Sequence, residues 1–151
     1  MSNAGFKMKF TSQKIEAMRE ENDVLGLLNA NGDLKLNKHA GKIETFIESA
    51  LIDIGKKNIT PFIKLINEKD VVIRRGVYWS LMKIRDTDTI NPLINALQDE
   101  DGSIRYLAIY CLGEFGDGRA LILLSNLDVG NNQPFKKAVS EAINLITARV
   151  T

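Results

Sequence analysis

Between residues 71 and 85 the apolar positions Ile73, Val77, Leu81 and Ile84 follow the i, i+4, i+8, i+11 spacing of one helix face. A shorter apolar stretch, Phe62, Ile63, Leu65 and Ile66, stands just before it, so the two segments predict a pair of helices. The pair recurs. A shift of 31 residues lays Pro61 on Pro92, Phe62 on Leu93, Ile63 on Ile94, Asp70 on Asp101, Ile73 on Ile104, Arg74 on Arg105, Leu81 on Leu112 and Asp86 on Asp117 without a gap. The same step carries Leu93 to Leu124, Ile104 to Phe135, Arg105 to Lys136 and Leu112 to Ile143. Upstream a step of 30 sets Ile43, Ile47, Leu51 and Ile54 under Ile73, Val77, Leu81 and Ile84. Three copies and a more divergent fourth predict an all-α stack in which each helix pair buries its apolar face on its neighbours.

Punctuation supports this division. Thr60-Pro61 and Asn91-Pro92 set a capping residue before a proline that a first helical turn tolerates, and Gly116-Asp117-Gly118 marks a stop. Asn31-Gly32 reads as a further turn, and Leu34-Lys35-Leu36 as a stretch able to be briefly extended. The expected helices are 12–29, 39–55, 60–68, 71–85, 89–98, 103–115, 119–127 and 134–149.

The run from Asp101 through Ile104-Arg105, Ala108 and Leu112-Gly113 to Phe115-Gly116-Asp117 resembles the short HEAT repeat of the phycobilin-lyase type. Residues 70 to 86 keep Asp70, Ile73, Arg74, Leu81, Ile84 and Asp86, while Met82 and Arg85 replace the two glycines and Ser80 an alanine. The resemblance extends over roughly residues 12–149 and is strongest over 59–128. Thr60-Pro61-Phe62 echoes an ankyrin start but lacks the following His-x-Ala, and the tetratricopeptide residues do not appear at their spacings. The resemblance implies a right-handed α–α superhelix, a HEAT-like solenoid of about four helix pairs forming a single domain over 11–151. Such a domain would hold a protein or peptide in its concave groove. The resemblance leaves two alternatives, a nucleic-acid-binding HEAT-like protein and an accessory subunit of an enzyme complex related to the lyase-type proteins.

Composition narrows the chemistry. Among 151 residues, 20 Lys and Arg oppose 19 Asp and Glu for a net charge of +1, so there is no global basic field for nucleic acid or anionic membrane. Cys111 alone forms no internal disulfide, and with His39 it cannot complete a Cys/His zinc site; a reducing cytoplasm is the expected compartment. Met1-Ser2-Asn3-Ala4 looks like a tag remnant, which sets residues 1–10 apart from the domain; no signal peptide or membrane-spanning run is expected. Ser, Thr and Cys nucleophiles lack a paired base, and Gly113, Gly116 and Gly118 follow no strand that would make them a phosphate loop. The His-Glu pairs of deoxyhypusine hydroxylases are absent, and although Trp79 is available, the extended basic channel of HEAT-like alkylpurine glycosylases is not evident beyond the middle of the chain. No catalysis, cofactor or metal is expected.

Arg74 and Arg105 could bind phosphate, but each follows a core Ile and stands four residues after an Asp, which favours bonds to loop carboxylates or helix-end carbonyls between repeats. Asp86, Asp88 and Asp99-Glu100-Asp101 fall on turns and read as solvated helix caps; they lack the alternating ligands of a calcium loop. Residues 35–85 carry eleven basic against five acidic side chains, and 86–128 two against eight, which suits either solvated faces or a partner of opposite polarity.

Helix phase names the groove. At about 100° per residue, Arg75, Tyr78, Trp79 and Met82 lie opposite the apolar face of their helix, and one repeat on the equivalents are Tyr106, Ile109, Tyr110 and Gly113. The expected partner-binding set is Arg75, Tyr78, Trp79, Met82, Tyr106 and Tyr110, an aromatic-plus-Arg composition typical of interface hot spots. In this reading Trp79 and Tyr110 flank a trough, Met82 floors it and Arg75 offers its fork to a partner's carboxylate. Leu145 and Val150 widen the apolar arc of the last helix, so weak self-association through one end, or truncation of a longer stack, is also expected.

Overall fold

The computed structural model describes the backbone of residues 11–35 and 41–151 and the side chains of 11–31 and 44–151. The expectations for residues 1–10, for Leu36 and for His39 lie outside the described residues. The helices are α1 (Ser12–Glu20), α2 (Val24–Lys35), α3 (Gly41–Lys57), α4 (Thr60–Ile63), α5 (Val71–Ile84), α6 (Ile90–Ala96), α7 (Gly102–Phe115), α8 (Leu121–Ser125) and α9 (Gln133–Val150). Single 3-10 turns, Thr87–Thr89 and Gly118–Ala120, lead into α6 and α8. No strand occurs among the described residues.

The long helices α3, α5, α7 and α9 pack in chain order into one row, with α6 against α7 and α8 against α9. The predicted apolar stripes form the seam: Ile47, Leu51, Ile54, Ile73, Val77, Leu81, Ile104, Ala108 and Leu112 are buried, closed from the other layer by Phe62, Leu93 and Leu124. Each repeat opens its helices in the same way. Asp70 accepts from the Val72 N–H at 2.7 Å, Asp101 from Ser103 and Ile104 at 3.0 and 3.1 Å, and Asn132 from Phe135 at 3.1 Å. Asp86 and Asp117 do the same for the two 3-10 turns, at 2.8 and 3.0 Å. These carboxylates and carboxamide satisfy N–H groups that a helix start leaves open. Caps thus recur with the repeat, although Thr60 and Asn91 are not among them. Asn58 accepts from the Thr60 N–H at 3.0 Å, and Asn91 accepts from Arg119 of the next repeat at 3.0 Å.

The N-terminal quarter departs from expectation. The single helix expected over 12–29 is two, because Asn22 adopts the left-handed φ of 56° and Asp23 caps the new start by accepting from the Gly26 N–H at 2.8 Å. Asn is among the residues that tolerate that conformation, so the break is inexpensive. Asn31-Gly32 makes no turn, and Leu34 and Lys35 are helical rather than extended, since α2 continues to Lys35. Burial of Leu27, Leu28 and Ala30, with α2 packed on both α3 and α5, overrides the local turn preference. The shorter helices of each pair are also briefer than expected: α4, α6 and α8 end at Ile63, Ala96 and Ser125.

Successive pairs are tied by arginine. Arg74, almost completely buried, donates through Nη1 to the carbonyls of Glu68 and Lys69 at 2.9 and 3.0 Å. It forks through Nε and Nη2 onto Asp99 at 3.1 Å each and reaches Glu100 at 3.0 Å. One repeat later Arg105 donates to the carbonyls of Asp99 and Glu100 at 2.7 and 3.1 Å, and its guanidinium lies 5.9 Å from the Phe135 ring. Both arginines therefore take the structural role, and Asp99, expected to be a solvated cap, is instead enclosed in the pair with Arg74. Arg149 closes the series, donating to the carbonyls of Gly113, Glu114 and Gly116 and so tying α9 to the end of α7.

The two arginines should not be equivalent on removal. Arg74→Ala strands a buried carboxylate and two carbonyls and should cost about 3 to 5 kcal/mol, whereas Arg105→Ala, which frees only carbonyls, should cost about 1 to 3 kcal/mol. Urea denaturation midpoints of the two variants check the order.

Candidate functional site

Of the face of α5 turned away from the core, Arg75 is exposed and Trp79 half-buried, and on α7 Tyr106 and Tyr110 are exposed, as their phase requires. Tyr78 does not join them. It is 3% exposed, wedged on the side of α5 that meets α7, and Ile109 at the equivalent position is fully enclosed. Tyr78 and Ile109 lie at the flank of their helices rather than opposite the core, and in a stacked row the flank belongs to the next repeat. Burial pushes the Tyr78 phenol up to about 12, with the charge of Asp99 adding to it. Met82 is likewise half-buried against the core, and Gly113 at its equivalent position lets α9 approach so closely that a Cβ there would stand 3.0 Å from the Ala142 Cα.

Arg75, Trp79 and Tyr106 line a cleft of about 520 Å³ together with Val72 and Gly76 of α5 and Ser103 and Leu107 of α7. Its third wall is α2, through Leu28 and Asn31. Tyr110 stands one turn further along α7 and takes no part, so the ring facing Trp79 across the cleft is Tyr106 rather than Tyr110. Tyr106 is held edge-to-face on Phe135 of α9, with centroids 5.5 Å apart at 64°. Lys83 Nζ sits 5.3 Å from the centre of the Trp79 ring. Beyond Tyr106 a second depression of about 500 Å³ continues, lined also by Gln133, Pro134, Lys137, Ala138 and Glu141.

Arg75 does not hold its fork out for a ligand. It closes on Asp101 at 2.5 and 3.2 Å. That bond, with those from the Ser103 hydroxyl and the Ile104 N–H, holds the Asp101 carboxyl far below the usual carboxylate range. Arg85 similarly reaches Glu114 at 2.5 Å. The opposite charges of the two chain segments thus meet between neighbouring repeats: basic groups of α5 face Asp99, Asp101 and Glu114 of the following pair.

The α2 wall was absent from the sequence reading. One signal for it existed: Gly76 lies mid-helix, where glycine is disfavoured, and a Cβ there would come 2.7 Å from Leu28 Cδ2. Cys111 is buried, and its thiol is pushed up to about 12 by desolvation, so it stays protonated at neutral pH. Among the described residues no three His, Cys, Asp or Glu side chains converge on a metal position, and no helix is long and apolar enough to cross a membrane.

A family model described as HEAT repeats matches residues 59–144, more than half of the chain. With its row of capped, arginine-tied helix pairs, the chain belongs to the HEAT-repeat family, an all-α solenoid class commonly used as a protein-interaction scaffold. A search of curated proteins returns no match.

The Arg75–Asp101 pair should report itself through pH. Because the folded carboxyl titrates below its unfolded value of about 3.9, its contribution is present above that pH and is lost as pH falls through the folded value. Arg75→Met should therefore lower the thermal midpoint at pH 7, and the gap to wild type should narrow as pH drops below about 4. Parallel melts across that range provide the check.

Proposed function

We propose that the chain is a non-catalytic scaffold that binds a protein or peptide in the groove built by α2, α5, α7 and α9. The observation that carries this reading is the cleft between Trp79 and Tyr106, a depression with apolar walls on the solvent side of the long helices. Its aromatic groups project from rigid helices, which lowers the ordering cost of binding. Exposed Tyr110, one turn along α7, extends the apolar surface beyond its rim. The buried free thiol of Cys111 suits a partner met in a reducing cytoplasm. A nucleic acid is poorly served, because the groove's cations are already matched, Arg75 by Asp101 and Lys137 by Glu141 at 3.7 Å. Self-association through one end has Leu145 and Val150 of α9, with Ile122 and Leu123 of α8, as exposed apolar groups, while Ser140 and Asn144, at the positions where a further repeat would stack, are polar and exposed.

Linear random-peptide display on the wild-type protein, counter-selected on a Trp79→Ala/Tyr106→Ala variant, tests the reading. Ligands that require both rings and keep their affinity as salt rises support it; binding of random-sequence DNA that collapses with salt would replace it with nucleic-acid recognition. Each ring truncation should lower affinity about 30-fold, or ~2 kcal/mol, and shift the urea midpoint little. Tyr78→Ala, by contrast, empties a packed site and should cost about 3 to 5 kcal/mol of stability.

A further inference from the structure

Four polar or charged side chains are buried among the described residues, and three of them are satisfied. Arg74 has its carbonyls and carboxylates, Ser80 donates to the Gly76 carbonyl at 2.8 Å, and Thr89 donates to the Asp86 carbonyl at 2.5 Å. The fourth is Asn31. It is 7% exposed, its Oδ1 is enclosed without a partner, and it lines the cleft beside Trp79. Nothing local accounts for it, since Asn is a poor residue for a helix interior and an unpaired buried acceptor is expensive. A leucine would serve α2 better. The carboxamide turns on a broad torsion, so a partial rotation presents the acceptor to a donor entering the cleft.

The shape of the groove indicates what kind of donor. The two depressions, of about 520 and 500 Å³, share Tyr106 as the ridge between them. A compact ligand fills one of them; a chain crosses both. Side chains two apart on one face of an extended peptide are about 7 Å apart, and three residues span about 10 Å, which brackets the ~8 to 10 Å between packed helix axes. The first depression is walled by Leu28, Val72, Trp79 and Leu107, the second by Gln133, Lys137 and Glu141. A helix in the groove would have its N–H groups bonded internally beyond its first turn and would leave Asn31 unsatisfied.

We propose, building on the groove reading above, that the occupant is an extended peptide lying across Tyr106. It sets one large apolar side chain beside Trp79 and a polar one, two residues away on the same face, beside Lys137 and Glu141, and it donates a backbone N–H to Oδ1 of Asn31. Asn31 is then a specificity residue for backbone conformation, and its isolation in the free protein is the counterpart of the bond made on binding.

Trp79 is the only tryptophan in the chain, so its fluorescence reads occupancy of the cleft directly. The probes are linear peptides selected on the wild-type protein as above, resynthesised with a single N-methyl group walked along the backbone. One position, close to the large apolar residue, should lower wild-type affinity at least tenfold, and the same methylation should be without effect on Asn31→Leu. In the absence of peptide, Asn31→Leu should also raise the denaturation midpoint. A scan with no sensitive position, a midpoint that falls on Asn31→Leu, or a bound peptide that is helical by circular dichroism overturns the proposal. Peptides that need Trp79 and Tyr106 but ignore Asn31 overturn it alone, whereas peptides indifferent to both rings overturn the groove reading as well. The wild-type methyl scan holds whatever the stability of the variant.

Discussion

A buried guanidinium must find a partner for nearly every N–H it carries, and Arg74 finds its partners on both sides of a repeat boundary. Its bonds to the Glu68 and Lys69 carbonyls hold the loop that leads into α5, and its fork on Asp99 grips the loop between the two helices of the next pair. Asp99 also accepts from the Asp101 N–H at 2.8 Å, so the same carboxylate shapes the turn that presents Asp101 as the cap of α7. The phase of α7, and with it the direction of Tyr106, follows from that chain of bonds. Hydrophobic burial holds the layers together, but it is indifferent to small rotations; the arginine–carboxylate geometry is directional and sets the register of neighbouring pairs.

The repeat was legible because it is written in several independent ways at one spacing. Apolar stripes, Asp caps and arginines recur together, and an error in any one of them would have been exposed by the others. What sequence periodicity does not contain is the direction of the next repeat. A helix wheel separates core from not-core, yet a helix in a row has a core face, two flanks and one free face. Phase alone puts Tyr78, Met82 and Ile109 on the free face, whereas in the row Tyr78 and Ile109 are buried and Met82 is half-buried against the core. Arg75 is exposed, as helix phase requires, but its fork closes on a carboxylate of the same chain, 26 residues on, which periodicity cannot show. The N-terminal pair lies outside the clean repeat, so no second copy could correct the reading of Asn22 or Asn31-Gly32.

The groove is consequently less a property of the repeat than of what interrupts it. A regular solenoid face built only from α5 and α7 would present Arg75, Trp79, Tyr106 and Tyr110 on an open surface. Packing of α2 on Gly76 turns that surface into a cleft with three walls, in which Trp79 and Tyr106 are the two rings. Exposed charge adds little to its attraction, because the strongest ion pairs nearby are closed within the chain.

Because one wall belongs to α2 and the others to α5 and α7, anything seated in the cleft adds a bridge between the N-terminal helices and the repeat row beyond the contacts α2 already makes with α3 and α5. Its binding free energy then opposes the separation of those parts, and the amides of α2 and of the α2–α5 seam should exchange with solvent more slowly in the complex, even where they touch no ligand atom. The N-terminal helices would then share, on occupancy, the protection of the repeat core they pack against.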